Sequence, residues 1–242
     1  MKTLLITGAS SGIGEAMARE AVSKGNAVVG VARREKELER LRGELGNLFS
    51  YHVADTSDPV QVARVVGSLE RLPDTVILNA GVGEFDSRKE FKTDIHRRTF
   101  EINYFGAIYW VEELLPRFKE RGSGTFAVVS SLAGYRGLPL SIAYAASKAA
   151  VRVAFEGMRV TYPYWGVRFV TICPGFVETP MNREKLPFKW TAEKAAHHIL
   201  ARIDKGDMHI EFPLPMKLIV RTSGLLPAKA YARAIRVPKK KE

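Results

Sequence analysis

The chain has 242 residues, 37 of them basic and 26 acidic, a net charge of +11 at neutral pH and a single cysteine, Cys173. That length suffices for one large α/β domain or two small ones. The lone cysteine excludes an intramolecular disulfide, and no apolar run approaches the length of a membrane span. Met1 leads almost directly into an apolar segment without a charged leader or cleavage site, so no secretory signal is expected and a cytoplasmic location is.

Along the chain, short apolar runs alternate with longer amphipathic segments. TLLIT (3–7), AVVGVA (27–32), SYHVA (50–54), TVILN (75–79), TFAVVS (125–130) and VRFVTIC (167–173) are rich in Val, Ile and Phe and predict strands, several buried on both faces. Helices are predicted over 15–24, 35–45, 60–70 (after Pro59), 94–119 and 141–162, with another starting near Thr191. Such repeated alternation predicts a Rossmann-type doubly wound parallel sheet, a three-layer α/β/α architecture in a single domain spanning 1–242. Residues 213–242 read as a basic C-terminal extension of that domain, with Arg233, Arg236, Lys239, Lys240 and Lys241 crowding the end. A solvated tail and an amphipathic segment lying on an anionic bilayer both fit it.

Between the first strand and first helix lies TGASSGIG (7–14), with Gly8, Gly12 and Gly14. Glycine allows a tight turn and close approach of a phosphate, and a helix N-terminus presents free N–H groups to an anion. At the first strand–helix junction of a doubly wound sheet, such a turn is a candidate nucleotide site. Further on, SIAYAASKAA (141–150) places Tyr144 and Lys148 four residues apart, one turn of a helix, on one face. An ammonium beside a phenol makes its proton easier to remove, although a surface tyrosine packed over a lysine stem has the same spacing.

TGASSGIG, NAG (79–81), Ser131, YAASK (144–148) and PG (174–175), in this order, resemble the short-chain dehydrogenase/reductase family over residues 2 to about 182. The resemblance implies an oxidoreductase in which Tyr144 is the general acid/base. It implies that Lys148 lowers the phenol pKa and bonds the nicotinamide ribose, that Ser131 binds the substrate oxygen, and that Asn103 kinks its helix and holds a proton-relay water. Ser130 is the rival of Ser131, but alternation along the strand sends the two side chains in opposite directions. It also implies cofactor contacts at Gly8, Ser10, Ser11, Gly12, Ile13, Gly14, Asp55, Thr56, Asn79, Ala80, Gly81, Tyr144, Lys148, Pro174, Gly175, Val177 and Thr179. Leu78 stands where the family usually has a first Asn before Asn-Ala-Gly.

Arg33 and Arg34 follow the second strand, where an NAD enzyme needs a carboxylate for the ribose 2′-hydroxyl. A guanidinium grips a 2′-phosphate instead, so NADP(H) is expected over NAD(H), with Arg33, nearer the strand end, as the gripping residue. Val82, Phe85, Leu132, Leu138, Phe176 and Met181 are expected to face a small or medium, mostly apolar carbonyl or secondary alcohol, with Arg136 and Arg183 as candidate carboxylate clamps. No metal site is expected, and no nucleic-acid partner, since the basic end lacks a stacking-aromatic array. The resemblance implies a homodimer or homotetramer formed through the two long helices, with Val151, Phe155 and Met158 as a candidate outer stripe. A non-catalytic NADP-binding regulator and a membrane-associated lipid or acyl carbonyl reductase are the alternatives.

Overall fold

Seven strands pair in parallel in the order β3-β2-β1-β4-β5-β6-β7: β1 (Thr3–Thr7), β2 (Ala27–Ala32), β3 (Phe49–Val53), β4 (Thr75–Leu78), β5 (Gly124–Val129), β6 (Val167–Pro174) and β7 (His209–Phe212). The computed structural model describes residues 1–235 apart from Phe85, Arg88, Lys89, Arg183 and Lys185. Phe85 and Arg183, proposed for the substrate side, therefore lie outside the described residues, as do Arg236, Lys239, Lys240 and Lys241 of the basic end. The first six strands match the apolar runs of the sequence to within a residue or so. β7 was not foreseen: it is four residues long, and the less buried His209 and Glu211 alternate with fully buried Ile210 and Phe212, the Glu211 side chain itself being enclosed. Its register against β6 runs from Thr171↔His209 to Pro174↔Phe212.

Helices cover both faces of the sheet. On one, α1 (Gly12–Ser23), α2 (Glu35–Leu45) and α7 (Ala192–Asp204) bury Met17, Leu38, Leu41 and Ile199. On the other, α3 (Pro59–Gly67), α5 (Gly106–Arg121) and α6 (Ile142–Thr161) bury Val62, Trp110, Phe118 and Phe155. Burial of this apolar surface, at roughly 25 cal/mol per Å², is the main favourable term in folding. Val151 and Phe155 are fully buried and Met158 packs against the same core. The stripe expected to serve self-association thus faces the protein's own sheet, where Phe155 meets Phe169 edge-on.

The helix predicted over 94–119 is broken in two. α4 (Thr93–Phe100) and α5 are joined by a wider π-helical turn, Glu101–Phe105, with Asn103 at its centre. Such turns recur at functional positions, and this one lies where Asn103 is expected to kink the helix. After β7, α8 (Leu214–Ser223) and α9 (Ala228–Ala234) fold back over the loop that follows β5, so residues 214–234 are not a solvated tail. Arg136 fastens them. Its Nη1 and Nη2 donate to the carbonyls of Gly224 (3.0 Å) and Leu226 (3.3 Å), and its guanidinium lies over the Tyr231 ring. These bonds occupy Arg136, which does not serve as a carboxylate clamp. Among the described residues no helix is long and apolar enough to cross a membrane, and no group of side chains could hold a metal ion.

Candidate active site

In a parallel sheet every strand ends on the same edge, so the segments following β1 to β6 gather there. The strand order reverses between β1 and β4: β2 and β3 lie to one side of β1, β4 to β7 to the other. The Gly-rich turn follows β1 at this switch point. Gly8 and Gly12 have φ of +67° and +58°, a region that other residues avoid. A Cβ on Gly14 would lie 2.4 Å from the Gly8 carbonyl oxygen, and one on Gly12 would lie 3.0 Å from Thr179 Cγ2. The turn is therefore a cradle that any side chain would fill, lidded by the segment after β6. Ile13 is half-buried, packed against the core beneath.

Asn79 ties the cradle to β4. Its Nδ2 donates to the carbonyls of Thr7 (3.0 Å) and Gly8 (3.4 Å), while the N–H groups of Asn79 and Ala80 donate to Thr7 Oγ1. Arg34, rather than Arg33, reaches the turn: its Nε and Nη2 donate to Ser10 Oγ at 3.1 and 2.9 Å, and Nη2 to Ser11 Oγ at 2.6 Å. Arg33 instead extends toward Asp55, 3.4 Å away, and is largely exposed. Asp55 is held in a local turn by the Ser57 N–H and hydroxyl. Burial alone would raise its pKa, but those bonds hold the carboxyl below its ordinary value. Thr56 is buried beside it, its carbonyl against Gly106.

Across the switch point, Gly81, Asn103 and Lys148 converge. A Cβ on Gly81 would fall 3.0 Å from Asn103 Oδ1 and 3.1 Å from Lys148 Nζ. Asn103 is not solvent-facing. Its Oδ1 accepts from the Val82 N–H (2.8 Å), and its Nδ2 donates to the Val82 carbonyl and Ser147 Oγ, both at 3.0 Å. Lys148 is buried and donates to the Val129 carbonyl at 2.8 Å. Burial pushes its ammonium down to about 8.

Ser131, at the end of β5, lies on the Tyr144 side of the site, close enough to influence the phenol; its Oγ accepts from the Ala133 N–H and donates to the Pro174 carbonyl at 3.4 Å. Ser130 points away and donates to the Lys148 carbonyl at 2.7 Å, as strand alternation requires. Burial raises the Tyr144 pKa, and the nearby Ser131 hydroxyl opposes that rise. Lys148 Nζ lies 5.8 Å from the ring centroid, and Lys148 is not among the groups that shift the phenol. Pro174 closes β6; Gly175 donates its N–H to the Phe212 carbonyl at 2.7 Å, and Val177 is buried. Of the residues expected to face substrate, Val82 and Phe176 are half-buried, Leu138 and Met181 exposed, and Leu132 packed inside at 2% exposure.

A family model described as short chain dehydrogenase matches residues 2–190. The chain belongs to the short-chain dehydrogenase/reductase family. It is 33% identical to an uncharacterized oxidoreductase of Myxococcus xanthus, over 97% of this chain and 96% of that one. Among solved structures it is similar to a short-chain dehydrogenase from Streptomyces avermitilis, with a TM-score of 0.84, 26% identity and 97% of both chains covered. It is also similar to an alcohol dehydrogenase from Thermococcus sibiricus complexed with 5-hydroxy-NADP, with a TM-score of 0.78, 29% identity, 88% of this chain and 95% of that one.

In this short-chain dehydrogenase/reductase, two residues around the site carry no signal in the sequence. Asp86 is buried and its Oδ2 accepts from the N–H groups of Ile142 (2.6 Å) and Ala143 (3.3 Å), while Oδ1 lies 3.0 Å from His96 Nε2. It caps α6 from 56 residues upstream. Met216, on α8, takes the Phe176 N–H on its sulfur at 3.5 Å and lies 2.6 Å from where a Cβ of Gly175 would be. Only a three-dimensional neighbourhood brings α8 to the site.

Proposed function

We propose that this oxidoreductase transfers hydride between NADP(H) and a small or medium, mostly apolar carbonyl compound or secondary alcohol. The observation that carries the reading is the convergence of Ser131, Tyr144 and buried Lys148 at the switch point, with the Lys148 Nζ 5.8 Å from the Tyr144 ring centroid. The Gly-rich cradle fits a dinucleotide, because its glycines leave room where a Cβ would collide and α1 starts at its lip. Gly8, Gly12, Ile13 and Gly14 would hold the pyrophosphate; Asp55, Thr56, Asn79, Ala80 and Gly81 the adenosine side; Pro174, Gly175, Val177 and Thr179 the nicotinamide. Arg34, Ser10 and Ser11 would receive the 2′-phosphate, and the NADP analogue bound by the Thermococcus sibiricus neighbour supports this choice. When bound, the nicotinamide supplies or accepts the hydride.

The chain's own residues handle the proton. Ser131 Oγ donates to the substrate oxygen as charge grows on it. Tyr144 Oη carries the proton that this oxygen takes up on reduction, and burial keeps the phenol protonated until then. Lys148 bonds the nicotinamide ribose and, with its pKa near 8, returns a proton to the phenolate. Asn103 fixes the Val82 backbone and α6 around that lysine, and holds the relay water.

NADPH consumption assayed over ketones, aldehydes and 3-oxo esters tests the reading. Tyr144→Phe should bind NADPH as the parent does and lose well over tenfold in kcat, about 1.4 kcal/mol of barrier or more. A variant retaining most of its turnover removes Tyr144 from the reaction. Self-association through the long helices stays part of the proposal. With Val151 and Phe155 buried, it would rest on exposed side chains such as Phe105, Val153 and Val160.

A further inference from the structure

Outside the nucleotide cleft, a cavity of about 350 Å³ opens between α6, β6, β7 and α8. Arg152, Glu156 and Arg159 line it from successive turns of α6, Thr171 from β6, His209 from the edge strand β7, and Arg221 from α8. Its floor includes the Tyr135 ring, with the Arg152 guanidinium 4.6 Å from the ring centroid.

Positive charge is in excess there. Glu211, at the rim, is almost wholly buried and already held by the Tyr135 hydroxyl, Arg221 and Lys217. Glu156 is mostly exposed and sits 3.7 Å from Arg152, beyond hydrogen-bond distance. Among the lining residues three arginines, Arg152, Arg159 and Arg221, thus face one carboxylate, Glu156, while Glu211 and Lys217 pair with each other beside them. Donors are also unused. Arg152 Nε is buried without a hydrogen-bond partner among the described residues, and a buried donor left unpaired is unfavourable. Arg159 fixes its Nε and Nη2 on the carbonyls of Phe169 and Met208 and on Thr171 Oγ1, and Arg221 fixes its Nε and Nη2 on Glu211. Each is anchored along one side of its guanidinium, and neither Nη1 has a hydrogen bond to a described residue.

We propose that this cavity binds a small organic dianion, a phosphate monoester or a dicarboxylate, distinct from the substrate and the nucleotide. Its two negative charges would match the local excess, and guanidinium forks suit either oxyanion. The volume exceeds that of an inorganic ion and lies in the range of small-molecule sites. Tyr135 and Arg152 stand four residues beyond Ser131 and Lys148, so the ligand would rest on the same two segments that carry the catalytic groups.

The test is thermal shift and calorimetric titration of the full chain with phenyl phosphate and with succinate, against acetate at equal ionic strength. Saturable stabilisation by either dianion and none by acetate is expected. Arg152→Gln should weaken dianion binding by about tenfold or more, and Glu156→Gln, at an exposed position, should tighten it roughly twofold. Arg34→Gln should leave it unchanged. The proposal falls if neither dianion binds saturably, or if Arg34→Gln abolishes binding, which would place the anion on the Gly-rich turn. It falls equally if the affinity is the same in the parent, Arg152→Gln and Glu156→Gln. Should Arg152→Gln fail to fold, an unchanged affinity in Glu156→Gln alone decides against it.

Discussion

Two adjacent arginines of equal charge divide into different roles by reach. Arg33 follows the strand end and swings out to Asp55, while Arg34 turns back onto the serines of the Gly-rich loop. Charge-assisted bonds to a phosphate are worth roughly 1.5–3 kcal/mol each. Arg34→Gln should therefore lower kcat/KM for NADPH by about tenfold or more relative to NADH, and Arg33→Gln should change that ratio by less than about threefold. Steady-state kinetics with both nucleotides decide it: a loss of NADPH preference in Arg33→Gln but not in Arg34→Gln would restore Arg33 to the role expected from its position along the chain. The motif was legible at this scale as a pair of guanidinium groups after β2. Which of them faces the turn depends on side-chain paths that spacing does not encode.

At the scale of the element, helix α6, which carries Tyr144 and Lys148, begins with a deficit. Ser141 occupies its N-cap position but makes no side-chain cap bond, so the first N–H groups need another acceptor. Asp86 supplies it from the segment after β4, which places Tyr144 at the third residue of a helix held from outside its own sequence. Asp86→Ala should cost about 1–3 kcal/mol, seen as a fall in Tm of roughly 3–8 °C for a chain of this size, and should lower kcat as the helix start frays. Asp86→Asn keeps an acceptor and should lose less. Equal melting temperatures for parent and Asp86→Ala would show that the cap is not needed. The other irregular element, the π-helical turn at Asn103, was legible as a kink because asparagine suits a helix interior poorly. Its backbone partners at Val82 were not.

For the molecule as a whole, the sheet edge is closed by one carboxylate. Glu211 on β7 joins α8, through Arg221 and Lys217, to the turn that follows Ser131, through Tyr135. Burial alone would raise its pKa, but hydrogen bonds from Arg221, Tyr135 and His209 hold it down, to about 2. A carboxyl whose pKa falls on folding contributes stability that is complete above its unfolded value, near 4.5, and lost as the pH falls toward 2. Glu211→Gln should thus be less stable than the parent at pH 7 by about 1–3 kcal/mol, with the gap closing between pH 4.5 and 2. Denaturant unfolding of both proteins across that range measures it; a gap independent of pH would show that the ionised form is not what holds the edge together.

The sequence by itself determined the doubly wound architecture, six of the seven strands, the Gly-rich turn and the order of Asn103, Ser131, Tyr144 and Lys148. These are local properties: a period of hydrophobicity, a glycine where no Cβ fits, a four-residue step along a helix. The tertiary structure decided what depends on residues far apart in the chain meeting in space. It turned Val151 and Phe155 toward the sheet, gave Arg34 rather than Arg33 to the serines, and engaged Arg136 with the C-terminal helices. It also added β7 to the sheet and brought Asp86 to the start of α6. Each of those outcomes turns on the direction and reach of a side chain or on pairing with a distant strand, and neither is written in local periodicity.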